Sequence, residues 1–227
     1  MNKIINPPKS DWSQILERPT QTVEAIEETV TAIFDDIKRN GNDGVKRYTS
    51  IFDGVELNDF FVSEAEILEA EQLVSTELKA AIEVAKANIL KFHSAQKTEK
   101  VLIAISEGIE CWQEKRPIQK VGLYIPGGTA PLFSSVLMLA IPAKIAGCKE
   151  IMLATPPNKK GKINPAIIYA AQQCGVTKII KVGGIQAIAA MTFGTETIPQ
   201  VYKIFGPANQ FVTVAKQLST KYGVAID

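Results

Sequence analysis

Residues 121–140 read VGLYIPGGTAPLFSSVLMLA, a strand, a glycine turn and a helix in succession. An apolar, β-compatible run, Val121–Ile125, passes through Pro126-Gly127-Gly128-Thr129 into a helix predicted over about Leu132–Ala146 and ended by Gly147. The same strand–turn–helix unit then recurs. Ile151–Ala154 is a strand and Pro156–Lys162 a polar loop. Asn164-Pro165 opens a helix, with a capping side chain followed by a proline whose missing N–H does no harm at the first helical position. Lys178–Val182 is a strand, followed by Gly183-Gly184 and a helix over Ile185–Phe193. Lys203–Phe205 leads through Gly206-Pro207-Ala208-Asn209 into a helix reaching about Tyr222, and Val224–Ile226 begins another strand. Short apolar strands alternating with amphipathic or buried helices mean βαβ units and a parallel sheet.

In open sheets of this kind ligands lie beyond the carboxyl ends of the strands. The turns at 126–129, 183–184 and 206–209 all leave that edge, so they are predicted to crowd together. Glycine lets a backbone approach closely, and a helix N-terminus offers unpaired N–H groups and partial positive charge. Together these suit a phosphate or pyrophosphate. None of the turns matches the GxGxxG or P-loop spacing, so each glycine alone is equally a residue that makes a tight turn. The polar residues in and beside the turns leave the same two readings open. Tyr124 is a buried core tyrosine or a group that stacks on or hydrogen-bonds to a cofactor. Gln186 is a surface residue of a first helical turn or a contact to a ribose or nicotinamide amide. Asn209 is a capping residue or a cofactor contact. Glu196 and Lys203 are read as an ion pair or as solvated charges.

The first 120 residues have a different texture. Val23, Ile26, Val30, Phe34 and Ile37 recur at helical spacing, and Lys38-Arg39-Asn40-Gly41 supplies the cations and glycine of a helix end. Ser63-x-x-Glu66 is a capping box. Leu78, Ile82, Ala85, Ile89 and Phe92 form one stripe of a longer helix, with His93 beside it as a partly exposed residue. Val101–Ile105 and Ile109–Gln113 flank Ser106-Glu107-Gly108 as a β-hairpin. Trp112, Lys115 and Arg116 fit a binding surface or a solvated strand face equally well. The expected organisation is therefore a helical region with a β-ribbon over 1–120 and a Rossmann-like unit over 121–227.

Bulk composition narrows the function classes. The 227 residues carry a net charge of +1 and 46% hydrophobic residues. This is a globular composition without the basic footprint of a nucleic-acid binder, so no nucleic-acid partner is expected. The stretch from Met1 to Asp11 lacks an apolar signal region, and no run is long enough for a membrane helix, so a cytoplasmic protein without a membrane partner is expected. Cys111, Cys148 and Cys174 lack metal or disulfide spacing and read as buried thiols. His93 is the only histidine. It cannot supply a multi-histidine metal site, nor a serine–histidine–aspartate site unless it is itself the base.

The stretch 121–140 resembles histidinol dehydrogenases. So do Ile145-Ala-Gly-Cys148, Val182-Gly-Gly-Ile-Gln-Ala-Ile-Ala-Ala190, Phe193-Gly-Thr-Glu196 and Ile204-Phe-Gly-Pro-Ala-Asn209, in matching order and spacing. Asp43-x-x-Val-x-x-Tyr48 and Phe52-Asp53 resemble the family more loosely. The resemblance implies an α/β fold with an incomplete Rossmann-like, aldehyde-dehydrogenase-like parallel sheet, N-terminal helices and a β-hairpin. It implies NAD-dependent oxidation of L-histidinol to L-histidine through L-histidinaldehyde, with zinc holding the substrate, in a homodimer. Tyr124, Gln186 and Asn209 fall on the family's NAD-contacting positions. Ala208 stands where the family commonly has glycine, which narrows that turn. The family's zinc ligands and its glutamate–histidine acid/base pair lie beyond the position matching Asp227. The resemblance thus implies an N-terminal fragment holding neither catalytic nor metal residues, with zinc belonging to the longer protein. Two other readings are a related dehydrogenase of another alcohol, such as a sulfonated diol, and a non-catalytic α/β binding module.

Overall fold

The structure is a computed structural model that describes residues 3–17, 23–128 and 130–227, without the side chains of Val23 and Glu24. Thr129, the last residue of the first glycine turn, lies outside the described residues, as do Met1 and Asn2 at the start of the N-terminal stretch. A 3-10 turn, Lys9–Asp11, and the short α1, Trp12–Ile15, precede three longer helices: α2 (Val23–Asp53), α3 (Glu64–Leu73) and α4 (Thr76–Ser94). The hairpin β1 (Val101–Ser106) and β2 (Ile109–Gln113) follows. The rest alternates as read from the sequence: β3 (Lys120–Tyr124), α5 (Phe133–Ala146), β4 (Glu150–Ala154), α6 (Pro165–Gln173), β5 (Lys178–Ile180), α7 (Gly184–Phe193), β6 (Lys203–Phe205), α8 (Gln210–Thr220) and β7 (Ala225–Ile226).

Among the described residues the main sheet has five strands, all parallel, in the order β5-β4-β3-β6-β7. The chain builds outward from β3 to β5, crosses back through α7, and builds outward again from β6. The strand order therefore reverses between β3 and β6, where sheets of this kind bind ligands. Alternating side chains feed two cores. Val121, Leu123, Ile151, Leu153 and Ile179 pack under α4, α5 and α6. Tyr124, Met152, Ala154, Ile180 and Ile204 pack under α2, α7 and α8.

Helices α2, α3 and α4 pack on the two faces of this sheet. Phe60–Val62 runs antiparallel along β5, with Lys181 N–H donating to Phe60 O at 2.7 Å and Val62 N–H to Ile179 O at 2.9 Å. The chain thereby crosses from the α2 face to the α3–α4 face while covering a sheet edge that would otherwise expose backbone groups. The capping box forms as read, since Ser63 Oγ accepts Glu66 N–H at 3.2 Å and Glu66 Oε2 accepts Ser63 N–H at 2.9 Å. Asn164 and Pro165 open α6 as expected.

Some local expectations are corrected. The first long helix does break at Gly41 (φ 50°, ψ −125°), but a second helical run continues at once to Asp53. Asn42 N–H donates to Glu196 Oε2 at 2.7 Å, so a side chain 154 residues away caps that second run, which local spacing cannot reveal. Of the two readings for Glu196 and Lys203, no ion pair forms among the described residues, and Glu196 is exposed to solvent. Ile82 is fully buried, yet Phe92, assigned to the same stripe, is 65% exposed. Cys148 and Cys174 are buried, but Cys111 is exposed on the hairpin. The hairpin's Leu102, Ile103, Ile105 and Trp112 are likewise exposed. No helix among the described residues is long and apolar enough to cross a membrane.

Candidate functional site

The three glycine turns meet, as their shared sheet edge requires. Gly184 N–H donates to Tyr124 Oη at 3.1 Å, joining the second turn to the end of β3. Pro156, just past β4, wedges between the first two turns. A Cβ on Gly127 would lie 2.5 Å from Pro156 Cγ, and one on Gly183 would collide with the Pro156 ring. Gly206 lies against the backbone of Tyr124, where a Cβ would run into the Tyr124 carbonyl oxygen. Here glycine serves close approach as well as chain reversal.

Tyr124 is buried. Burial pushes its phenol above the ordinary value, the Gly184 N–H works against that, and the nearby Asp53 charge raises it further. Gln186 is wholly buried rather than on the surface, because the first turn of α7 faces α2. Its Nε2 donates to Asp53 Oδ2 at 3.1 Å, while its Oε1 is buried without a partner beside the Gly184 Cα. Asn209 is exposed and caps α8, its Oδ1 accepting Val212 N–H at 3.0 Å. The structure therefore brings Tyr124 and Gln186 together through Gly184, with Asn209 one turn away behind Gly206.

Two groups escaped the sequence reading. Asp53 ends α2 and sits inside the Tyr124–Gln186 cluster. Its signal was present in the Phe52-Asp53 pair, but nothing local says that the end of a distant helix lands at this sheet edge. Lys216, on α8, is buried. Its Nζ donates to Gly206 O at 3.0 Å and pairs with Asp227, whose Oδ2 accepts Gly206 N–H at 2.9 Å. Burial disfavours the Asp227 charge, but Lys216 and the Gly206 N–H outweigh it and hold the carboxyl below its usual range. Both backbone groups of Gly206 are thus clasped. A lysine on an amphipathic helix carries no sequence mark of this role.

An open cavity of about 640 Å³ lies at the carboxyl ends of β3 and β4. Asp53, Gly127, Gly128, Thr155, Pro156 and Lys162 are among its walls. Tyr124, Gln186 and Asn209 are not, so the buried amide of Gln186 meets this space through Asp53.

Burial pushes the Asp53 carboxyl up to about 6, against the pull of the Gln186 N–H. The folded chain therefore binds a proton here more tightly than the unfolded chain. The carboxyl's own contribution to stability is greatest below about pH 4, falls as pH rises toward 6, and stays lower above it. Asp53→Asn removes this slope. The variant is expected to gain roughly 1 kcal/mol at neutral pH, a figure already discounted for the solvent on the open side of the carboxyl. Urea midpoints measured across pH for both proteins check this, and parallel curves would contradict it.

The family model described as histidinol dehydrogenase matches residues 16–227. The histidinol dehydrogenase of Bacteroides fragilis is 57% identical over 227 residues, covering 100% of this chain and 53% of the relative. That of Bacteroides thetaiotaomicron is 54% identical over 228 residues, with the same coverage of each. The crystal structure of histidinol dehydrogenase from Elizabethkingia anophelis superposes with a TM-score of 0.90 at 54% identity, over 99% of this chain and 52% of that one. The chain spans about half the length of the curated relatives it matches. With sequence and structure matched along almost its whole length, the chain belongs to the histidinol dehydrogenase family.

Proposed function

We propose that this chain is the dinucleotide-binding half of an NAD- and zinc-dependent dehydrogenase that oxidises L-histidinol to L-histidine through L-histidinaldehyde. The observation that carries this is the convergence of three glycine turns at the strand-order reversal of a sheet belonging to the histidinol dehydrogenase family. In this reading residues 121–227 form the NAD-binding unit, and residues 1–120 are its helical region and ribbon. Tyr124, Gln186 and Asn209 serve the cofactor.

The residues present fit a dinucleotide. Gly128 has nothing within 4 Å of where a Cβ would stand, which leaves room against the first turn, while Gly127 and Gly206 are held close by Pro156 and the Tyr124 backbone. Gln186 Oε1 is a buried acceptor awaiting a donor. The Tyr124 hydroxyl accepts from Gly184 and keeps its own hydrogen for a ligand. NAD, when bound, supplies the hydride acceptor. What this chain contributes is binding and orientation.

The described residues do not fit zinc, since no group of three or more His, Cys, Asp or Glu among them is placed to hold a metal ion. The metal, the acid/base pair and the substrate contacts are assigned to the half of the relatives outside the matched region. A cytoplasmic homodimer is proposed for the longer protein.

The purified 227-residue chain is expected to form no NADH from L-histidinol and NAD⁺, with or without added zinc. A chain extended to the length of its relatives is expected to do so and to rescue a histidine auxotroph. Histidinol-dependent NADH formation by the 227-residue chain would overturn the division of labour. Failure of the extended chain with histidinol would overturn the substrate.

A further inference from the structure

Three carboxylates, Asp53, Glu66 and Glu69, line the cavity at the ends of β3 and β4, together with Lys159 and Lys162. Two of the carboxylates are neutralised. Glu66 pairs with Lys181 at 3.2 Å, and Glu69 with Lys162 at 2.7 Å. Asp53 makes no ion pair among the described residues. Its Oδ2 takes the neutral Gln186 N–H at 3.1 Å, which leaves Oδ1 for another donor. Gln186 is wholly buried, so it holds the Asp53 carboxylate at the cavity wall without competing for the open side.

Sheets with this strand order carry their first glycine turn after the central strand, and a carboxylate at the end of the next strand takes the ribose hydroxyls of a dinucleotide. The central strand here is β3, and its turn supplies Gly127 and Gly128 to the cavity. The next strand, β4, runs out through Ala154-Thr155-Pro156-Pro157 and offers no carboxylate. The acid reaches the same place from the end of α2.

We propose that Asp53 accepts the hydroxyl hydrogen bonds of the dinucleotide's adenosine ribose and thereby selects NAD⁺ over NADP⁺, with Gln186 as its positioning residue. The inference rests on the reading of this chain as a dinucleotide binder. A ribose diol brings donors that an ionised carboxylate satisfies with charge-assisted bonds. A 2′-phosphate brings negative charge directly against Asp53, the one of the three cavity carboxylates without a lysine partner among the described residues.

The test is equilibrium binding of NAD⁺ and of NADP⁺ to the 227-residue chain by calorimetry, for the unaltered protein and for Asp53→Asn. The unaltered chain is expected to bind NAD⁺ at least about tenfold more tightly than NADP⁺. Asp53→Asn is expected to raise the Kd for NAD⁺ about tenfold, the loss of one hydrogen bond to a charged acceptor. It leaves NADP⁺ unchanged or tighter, so the preference collapses. NAD⁺ affinity of the unaltered chain is also expected to rise as pH passes about 6, where Asp53 ionises, and this profile decides the matter should the variant fail to fold. If NAD⁺ binds but the variant keeps the same preference, or the pH profile of the unaltered chain is flat, the role of Asp53 is overturned and the dinucleotide reading stands. Equal affinity of the unaltered chain for both dinucleotides overturns the selection. If neither dinucleotide binds, the dinucleotide reading fails and this inference with it.

Discussion

Gly206→Ala is expected to destabilise the chain by about 4 kcal/mol or more, a large part of the roughly 5–15 kcal/mol that holds a domain of ordinary stability together. Two effects add. Gly206 has φ +139°, a conformation that L side chains rarely adopt, and holding alanine there is strained by about 1–3 kcal/mol. The new methyl group would also strike the Tyr124 carbonyl oxygen and crowd the Tyr124 amide nitrogen at 3.1 Å. These neighbours are the backbone of the central strand, so no side-chain rotation relieves the contact. The end of β6 must withdraw from β3, loosening the Leu123–Phe205 register and the clasp of Lys216 and Asp227 on Gly206. The turn behind Asn209 shifts with it, so NAD⁺ affinity is expected to fall alongside stability. Gly128→Ala is the control. A Cβ there meets nothing within 4 Å, and its effect is expected to stay within about 0.5 kcal/mol. Denaturant midpoints of the two variants check the claim, and equal midpoints would refute it.

Phe34→Ala is expected to cost about 3–5 kcal/mol, because a fully buried aromatic leaves a cavity that rigid neighbours cannot fill. Phe34 is 0% exposed. Its ring meets Phe193 edge-on with centroids 5.6 Å apart and stacks on Tyr222 at 6.3 Å, and those two rings touch each other at 4.7 Å. The cluster joins α2 to the end of α7 and to the turn after α8. It therefore ties the helical region to the sheet that carries the site. At roughly 2–4 °C per kcal/mol for a chain of this size, the melting temperature should fall by about 10 °C. Phe92→Ala removes the same ring from a site 65% exposed to water, and its expected effect is within about 0.5 kcal/mol. Calorimetric melting of both variants distinguishes them; similar shifts would mean that the Phe34 cluster does not carry the load assigned to it.

Both contrasts turn on something that spacing does not encode. Phe34 and Phe92 each sit on a helical stripe, and each reads as a core residue. Only packing shows that α2 lies against two other helices while the last turns of α4 leave Phe92 in water. Gly128 and Gly206 both read as turn glycines, yet one faces open space and the other touches the central strand. Gln186 read as either a surface group or a ligand contact, and the structure makes it a buried amide whose reach to the cavity runs through Asp53.

The succession of strands and helices from Val121 onward, the capping of α3 and α6, the hairpin and the family are all legible along the chain. These follow from periodicity, from caps a few residues long, and from motifs in fixed order, all of which are local along the chain. The shared edge of the three turns also followed, because parallel strands linked by helices must all point the same way. Which distant groups arrive at that edge is set by packing: Asp53 from the end of α2, and Lys216 and Asp227 around Gly206. Glu196 at the broken helix of Gly41 is the same case elsewhere in the fold. Each of these contacts joins groups through space, and the titration of Asp53 comes from burial and partners supplied by other elements. Burial and charge at a site are set by everything packed around it, and no local stretch of chain contains that.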